Sequence, residues 1–168
     1  RGQRTKSRIL EKAAGLASIC GLEDMSIGKL AKATGLSKSG LFAHFGSKED
    51  LQAQVVQWVA EMFTDQVMRP AFSQPRGIPR IEAVYGNWKE WINGGSLPGG
   101  CVMIAGTTEF DDRPGPVRDE IAEKMRGLLH SLTRTARIAV EEGHFREDAD
   151  PGQFAFEFQS LLYGYHFL

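Results

Sequence analysis

The stretch from Ser26 to Leu51 constrains this chain more than any other. Ile27, Leu30 and Ala31 share one face while Lys29 and Lys32 lie opposite, so the spacing predicts a short helix capped by Ser26. Gly35 supplies a permissive backbone for a tight turn, and Leu36 follows as the residue that packs beneath it. Ser37 then caps a second short helix. Leu41, Phe42 and Phe45 are its expected buried side, and Lys38, Ser39, Ala43 and His44 are left facing outward. Gly40 in that helix costs about 1 kcal/mol relative to Ala; close approach of a groove and simple tolerance both account for it. Two short helices around a glycine-containing turn form the helix-turn-helix layout, in which the second helix enters the DNA major groove.

The flanking segments extend this pattern. Arg1, Arg4, Lys6 and Arg8 form a basic arm, suited to phosphates or a minor groove and equally to a solvated terminus. A helix from about Thr5 carries Ile9, Ala13, Leu16 and Cys20 on one face, and Gly21 is placed to end it. Residues 1–50 hold nine Lys/Arg against five Asp/Glu, a net of +4, whereas the remainder holds eleven against sixteen, a net of −5. A basic segment bearing this motif fits a polyanion as partner.

Ser47-Lys48-Glu49-Asp50 reads as a variant capping box that opens a long helix. Leu51, Val55, Trp58 and Met62 mark its face. Pro70 predicts an end at Arg69, which makes a rod of roughly 33 Å. A Pro/Gly loop follows to residue 79, then a helix over 81–93, a glycine-rich break at 94–100, a short helix over 101–110, and a turn at 111–116. Val117, Ile121, Met125, Leu128, Leu132, Ala136 and Ala139 form the stripe of a helix running to Glu142. Asp150-Pro151-Gly152-Gln153 opens the last helix, with Phe154, Phe158, Leu161, Leu162 and Tyr165 on one face and further aromatics on others. A helix apolar on most sides is expected to be buried on most sides, and a second copy of the chain is the natural cover. The pattern is still running at Leu168, and no Met opens the chain; both features predict that the sequence is part of a longer one.

Composition excludes several classes. No apolar run reaches the roughly 18 residues of a membrane span, and Arg1–Lys6 does not open a signal peptide. Two cysteines, Cys20 and Cys101, do not build a disulfide framework and fit a cytoplasmic protein. Cys101 reads as inert core. His44, His130, His144 and His166 lack metal-ligand spacing. No catalytic triad order or phosphate loop is present, so neither an enzyme nor a cofactor is expected.

Leu41-Phe42-Ala43-His44-Phe45 followed by Ser47-Lys48-Glu49-Asp50-Leu51 resembles the TetR family of bacterial transcriptional regulators, over about Arg8 to Leu51. That family usually has a tyrosine where Phe42 stands, so its hydroxyl contact to phosphate is lost or replaced here. The Gly99–Asp112 stretch is similar to regulatory domains within the family. The resemblance implies an all-α protein: a three-helix DNA-binding domain at 1–46, joined by a long helix to a helical ligand-binding and dimerisation domain at 47–168. It also implies a homodimer, its final helices packed as a four-helix bundle, on a double-stranded DNA operator.

Lys38 is the first candidate for a base-edge contact, because Lys donates to guanine O6 and N7. Ser37 and Ser39 are candidates for bases or phosphates. His44, Lys48, Arg4 and Ser26 are candidates for phosphate, positioning the reading helix. Phe63, Tyr85, Trp88, Trp91, Met103 and Phe110 are candidates to line an apolar effector pocket. The expected function is a ligand-responsive repressor released from a palindromic operator by a small, largely apolar effector. The alternatives are a DNA-organising factor without inducer and a helical small-molecule carrier or enzyme.

Overall fold

The computed structural model describes residues 2–94 and 96–168. The described residues are helical with no strand, in the order α1 (Gly2–Cys20), α2 (Ile27–Thr34), α3 (Lys38–Phe42), α4 (Lys48–Phe63), a π-helical turn (Thr64–Met68), α5 (Arg69–Phe72), α6 (Ile78–Ile92), α7 (Val102–Glu109), α8 (Pro116–Glu141) and α9 (Pro151–His166). None of these helices is long and apolar enough to cross a membrane.

The chain divides into two compact units that do not follow chain order. The first is Arg1–Glu61 with Gly94–Glu123; the second is Met62–Asn93 with Lys124–Leu168. Helices α4 and α8 each contribute residues to both.

In the first unit α1 buries Ile9, Leu10, Ala13, Ala14 and Ala17. The basic arm expected at the N-terminus is part of this helix from Gly2 onward; Arg1 lies outside the described residues. Cys20, expected on the core face, is only half-buried and its thiol donates to the Leu16 carbonyl at 3.2 Å. The core also takes Leu22, Met25, Leu30, Leu41, Phe45, Leu51, Val55, Val56 and Val59. From the later segment Leu97, Cys101, Val102, Met103 and Ile104 are buried as well. Gly99 shows how closely this segment lies on α1. A Cβ there would fall 1.9 Å from the Ser18 carbonyl oxygen, and the Gly99 N–H donates to Ser18 Oγ at 3.1 Å.

The second unit is organised around α6, which buries Val84, Trp88 and Trp91. Phe63 meets Trp88 and Trp91 edge-on at centroid distances of 5.0 and 5.6 Å. Phe145, Phe154 and Phe158 extend the aromatic contacts along α9, and Phe158 lies 6.5 Å from Trp88. Such edge-on pairs add about 0.5–1.5 kcal/mol to what area burial supplies.

Pro70 does not end the helical path where the sequence predicts. The path widens into the π turn, where the Arg69 N–H bonds to Thr64 O, and Pro70 then sits in the first turn of α5. A proline in a regular helix removes one donor and clashes with the carbonyl four residues back. The wider turn accommodates both. Asn87 on α6 donates to the Val67 carbonyl at 3.0 Å, giving that carbonyl of the turn a side-chain partner.

Helix α9 starts as expected, with Asp150 Oδ1 accepting from Gly152 and Gln153 N–H at 2.8 and 3.1 Å. Within the single chain its residues are covered unequally. Ala155, Gln159 and Leu162 are buried within the chain, Phe154 and Phe158 are half-buried, and Phe156, Leu161, Tyr165 and Phe167 are exposed. So many positions of this helix are apolar that periodicity alone does not say which of them the chain's own core takes.

Candidate nucleic-acid interface

The helix-turn-helix is built by its caps. Ser26 Oγ accepts from the Lys29 N–H at 3.1 Å and holds the first turn of α2. Gly35 adopts φ +71°, a left-handed conformation that glycine enters without strain. The Leu36 N–H then closes back on Ala31 O at 3.1 Å. Ser37 Oγ accepts from the Gly40 N–H at 3.0 Å and lies 3.0 Å from Ser39 Oγ. A Cβ at position 40 would sit 3.2 Å from Ser37 Oγ, so glycine leaves room for the capping hydroxyl, which gives Gly40 a purpose inside the protein. Ser47 Oγ accepts from Asp50 N–H while Asp50 Oδ2 accepts from Gly46 N–H, both at 3.0 Å. This is the expected reciprocal cap, with Asp50 as its acidic partner.

Leu41 and Phe45, four positions apart, anchor α3 in the core. Phe42 is 46% exposed, contrary to the buried position expected from sequence. It lies one position, about 100° of helix, round from Leu41, and α3 is only five residues long, too short for a wide buried face. Ser37, Lys38, Ser39, Phe42 and Ala43 therefore present one exposed surface, with Ser26 and Arg4 also exposed and His44 half-buried. Lys6 lies over the Phe45 ring at 5.5 Å, a cation–π contact joining α1 to the residue that anchors α3.

Lys48 is engaged with the protein. Its Nζ donates to the Glu23 carbonyl at 2.5 Å and lies 3.8 Å from the Glu23 carboxylate. It ties the start of α4 to the α1–α2 turn. Sequence reasoning missed Gln52, whose Nε2 donates to the Leu22 carbonyl at 2.7 Å from a fully buried position, and Glu109, which meets the same turn. The signal for Gln52 was a polar residue among apolar ones. Glu109 lies too far along the chain to leave one.

The effector candidates fall into both units. Phe63, Trp88 and Trp91 are buried together in the second. Tyr85, in the same unit, is 45% exposed with Lys89 over its ring. Met103 and Phe110 are buried in the first unit. Among the described residues no group of His, Cys, Asp and Glu is arranged to hold a metal ion.

Two family models match the chain. That of bacterial regulatory proteins of the tetR family covers residues 9–55, and that of the tetracyclin repressor-like C-terminal domain covers residues 77–168. The chain belongs to the TetR family. It is accordingly a ligand-responsive transcriptional regulator.

Solved structures share the fold. A TetR regulator from Chloroflexus aurantiacus superposes with a TM-score of 0.88 at 23% identity, covering 97% of this chain and 82% of its own. AibR, solved with isovaleryl coenzyme A and operator DNA, gives 0.79 at 23% identity, covering 96% and 85%. A regulator from Saccharomonospora viridis, solved with choline, gives 0.82 at 21% identity, covering 98% and 83%. No curated protein sequence matches the chain.

Proposed function

We propose that this TetR-family regulator is a repressor that grips a palindromic operator as a homodimer and is released by a small, largely apolar effector. The observation that carries the DNA half is the surface of α3, where Lys38 and Ser39 stand free of the core beside the Ser37 cap while Leu41 and Phe45 hold the helix. Residues 1–46 are the reading domain in this proposal and 47–168 the regulatory one. Lys38 reads a base edge, Ser37 and Ser39 contact bases or phosphates, and Ser26, His44 and Arg4 contact phosphates. Lys48 serves mainly to brace α4, given its bond to Glu23.

Lys38→Ala is expected to weaken binding by about 1–3 kcal/mol and relax selectivity at one base pair. Titration of a duplex selected by the wild-type protein, at fixed salt, measures this; unchanged affinity removes Lys38 from the reading role. Wild-type affinity should also fall steeply with salt, because bound phosphates release counterions. A flat salt profile would favour a carrier over a regulator.

Phe63 and the two tryptophans it meets in the second unit, Trp88 and Trp91, are the apolar side chains that would border an effector site there. AibR was solved with an acyl coenzyme A and the S. viridis protein with choline, so the fold accommodates unlike effectors and the lining side chains set the choice. The side of α9 that carries Phe154, Phe158, Leu161 and Tyr165 is the proposed dimer face, with Leu161 and Tyr165 exposed in the single chain and Leu162 supporting it from inside the subunit. Leu161→Asp, at a position 74% exposed in the single chain, is expected to leave the fold intact and shift sedimentation from dimer to monomer. A variant that stays dimeric would move the interface elsewhere.

A further inference from the structure

The turn between α1 and α2 is held on both of its hydrogen-bonding sides by different helices. Leu22 and Glu23 donate their backbone N–H groups to the two oxygens of one carboxylate. Leu22 N–H meets Glu109 Oε2 at 2.9 Å and Glu23 N–H meets Glu109 Oε1 at 2.8 Å. The same two residues offer their carbonyls to α4: Leu22 O accepts from Gln52 Nε2 at 2.7 Å and Glu23 O from Lys48 Nζ at 2.5 Å. Leu22 itself is fully buried. A dipeptide in the DNA-reading part of the chain thus has its donors facing α7 and its acceptors facing α4.

The surroundings leave Glu109 little freedom. A Cβ at Gly21 would sit 2.6 Å from Glu109 Oε1, and one at Gly106 would sit 3.3 Å from Leu22 Cδ1 and 3.0 Å from Ile121 Cδ1. Hydrogen bonds from backbone N–H to a carboxylate are roughly twice as strong as neutral ones, and here two share one acceptor group. Yet α7 belongs to the stretch matched by the tetracyclin repressor-like C-terminal domain, residues 77–168, while it packs in the same compact unit as the helix-turn-helix. A displacement of α7 along its axis cannot leave the Leu22–Glu23 turn in place without breaking both bonds.

We propose that Glu109 is a positioning residue for operator binding: through its paired bonds to Leu22 and Glu23 it makes the orientation of α2 and α3 follow the position of α7. The residue touches no DNA and acts through the turn. This rests on the DNA-binding role of α3 proposed above. By linkage, a coupling that lets α7 influence DNA affinity must let DNA binding influence α7 to the same extent.

The test uses the full chain, a duplex selected by the wild-type protein from random sequences, and three proteins: wild type, Glu109→Gln and Val84→Ala. The Gln variant keeps size and one acceptor but presents an NH2 group to the second N–H. Val84 is fully buried in α6, in the second unit, and serves as a control for lost stability alone. Operator affinity is measured by titration, and amide exchange of residues 102–109 is measured with and without the duplex. Operator binding is expected to slow exchange in α7 of the wild type and of Val84→Ala. In Glu109→Gln that slowing should disappear and affinity should change by at least about fivefold, the lower end of usual coupling. The proposal is overturned if Glu109→Gln binds as the wild type does and still protects α7, or if Val84→Ala loses affinity and protection equally. Absence of any wild-type DNA binding overturns the underlying DNA-binding reading as well, a result distinct from the other two.

Discussion

Trp88→Ala is expected to destabilise the protein by about 3–5 kcal/mol, the usual range for removing a large aromatic side chain from a core. Trp88 is 1% exposed and its ring meets Phe63, Phe158 and Tyr163 at 5.0, 6.5 and 6.3 Å. These neighbours come from α4 and α9, so the cavity left behind is walled by elements that cannot all collapse toward α6. A loss of that size is a large share of the roughly 5–15 kcal/mol that holds a typical domain folded. Urea unfolding followed by circular dichroism measures it. Tyr85→Ala on the same helix is the internal comparison: at 45% exposed it should cost under about 1 kcal/mol. Equal losses at the two positions would show that α6 does not carry the core of its unit.

Gly99→Ala is the second large effect, and its sign is set by backbone. The added methyl would meet Ser18 O at 1.9 Å, Ser18 C at 2.3 Å and Ile19 N at 2.6 Å. None of these atoms can rotate away, so α1 and the 97–100 turn must separate, and the bond from Gly99 N–H to Ser18 Oγ goes with them. Overpacking of this kind costs about 1–3 kcal/mol and occasionally more. Gly86→Ala makes the opposite case. Position 86 lies within α6 with nothing near the added Cβ, and alanine there should stabilise by about 0.4–1 kcal/mol. Thermal unfolding of the two variants should move in opposite directions. If Gly99→Ala unfolds with the wild type, the close approach of residue 99 to α1 is not as described.

Segments whose shape is decided within a few residues were legible in advance. Ser26, Ser37, Ser47 and Asp150 cap helices as their positions suggested, because a cap needs only a side-chain oxygen and an N–H two or three residues on. Gly35 marks its turn for an equally local reason. The short helix expected over 101–110 is α7. The reach of the helical path past Pro70 was not legible. The π turn that admits the proline, and the bond from Asn87 to Val67 beside it, depend on what packs there. In α3 the spacing puts Lys38 and Ser39 outward, as found, whereas Phe42 is exposed where the spacing predicts burial, because a five-residue helix offers too few positions to define a face.

The all-helical class, the helix-turn-helix with its caps, and the family are written in short runs of residues whose spacing carries its own physical meaning. Packing decided how much of α9 the single chain covers, leaving Phe156 exposed on one side and Leu161 and Tyr165 on another. It also brought residues 94–123 into one unit with the helix-turn-helix, and set Glu109 against Leu22 and Glu23 across 87 and 86 residues of chain. Apolar periodicity tells a helix which sides avoid water, but not what will cover them. A carboxylate's partners, when they lie so far along the chain, are chosen by packing.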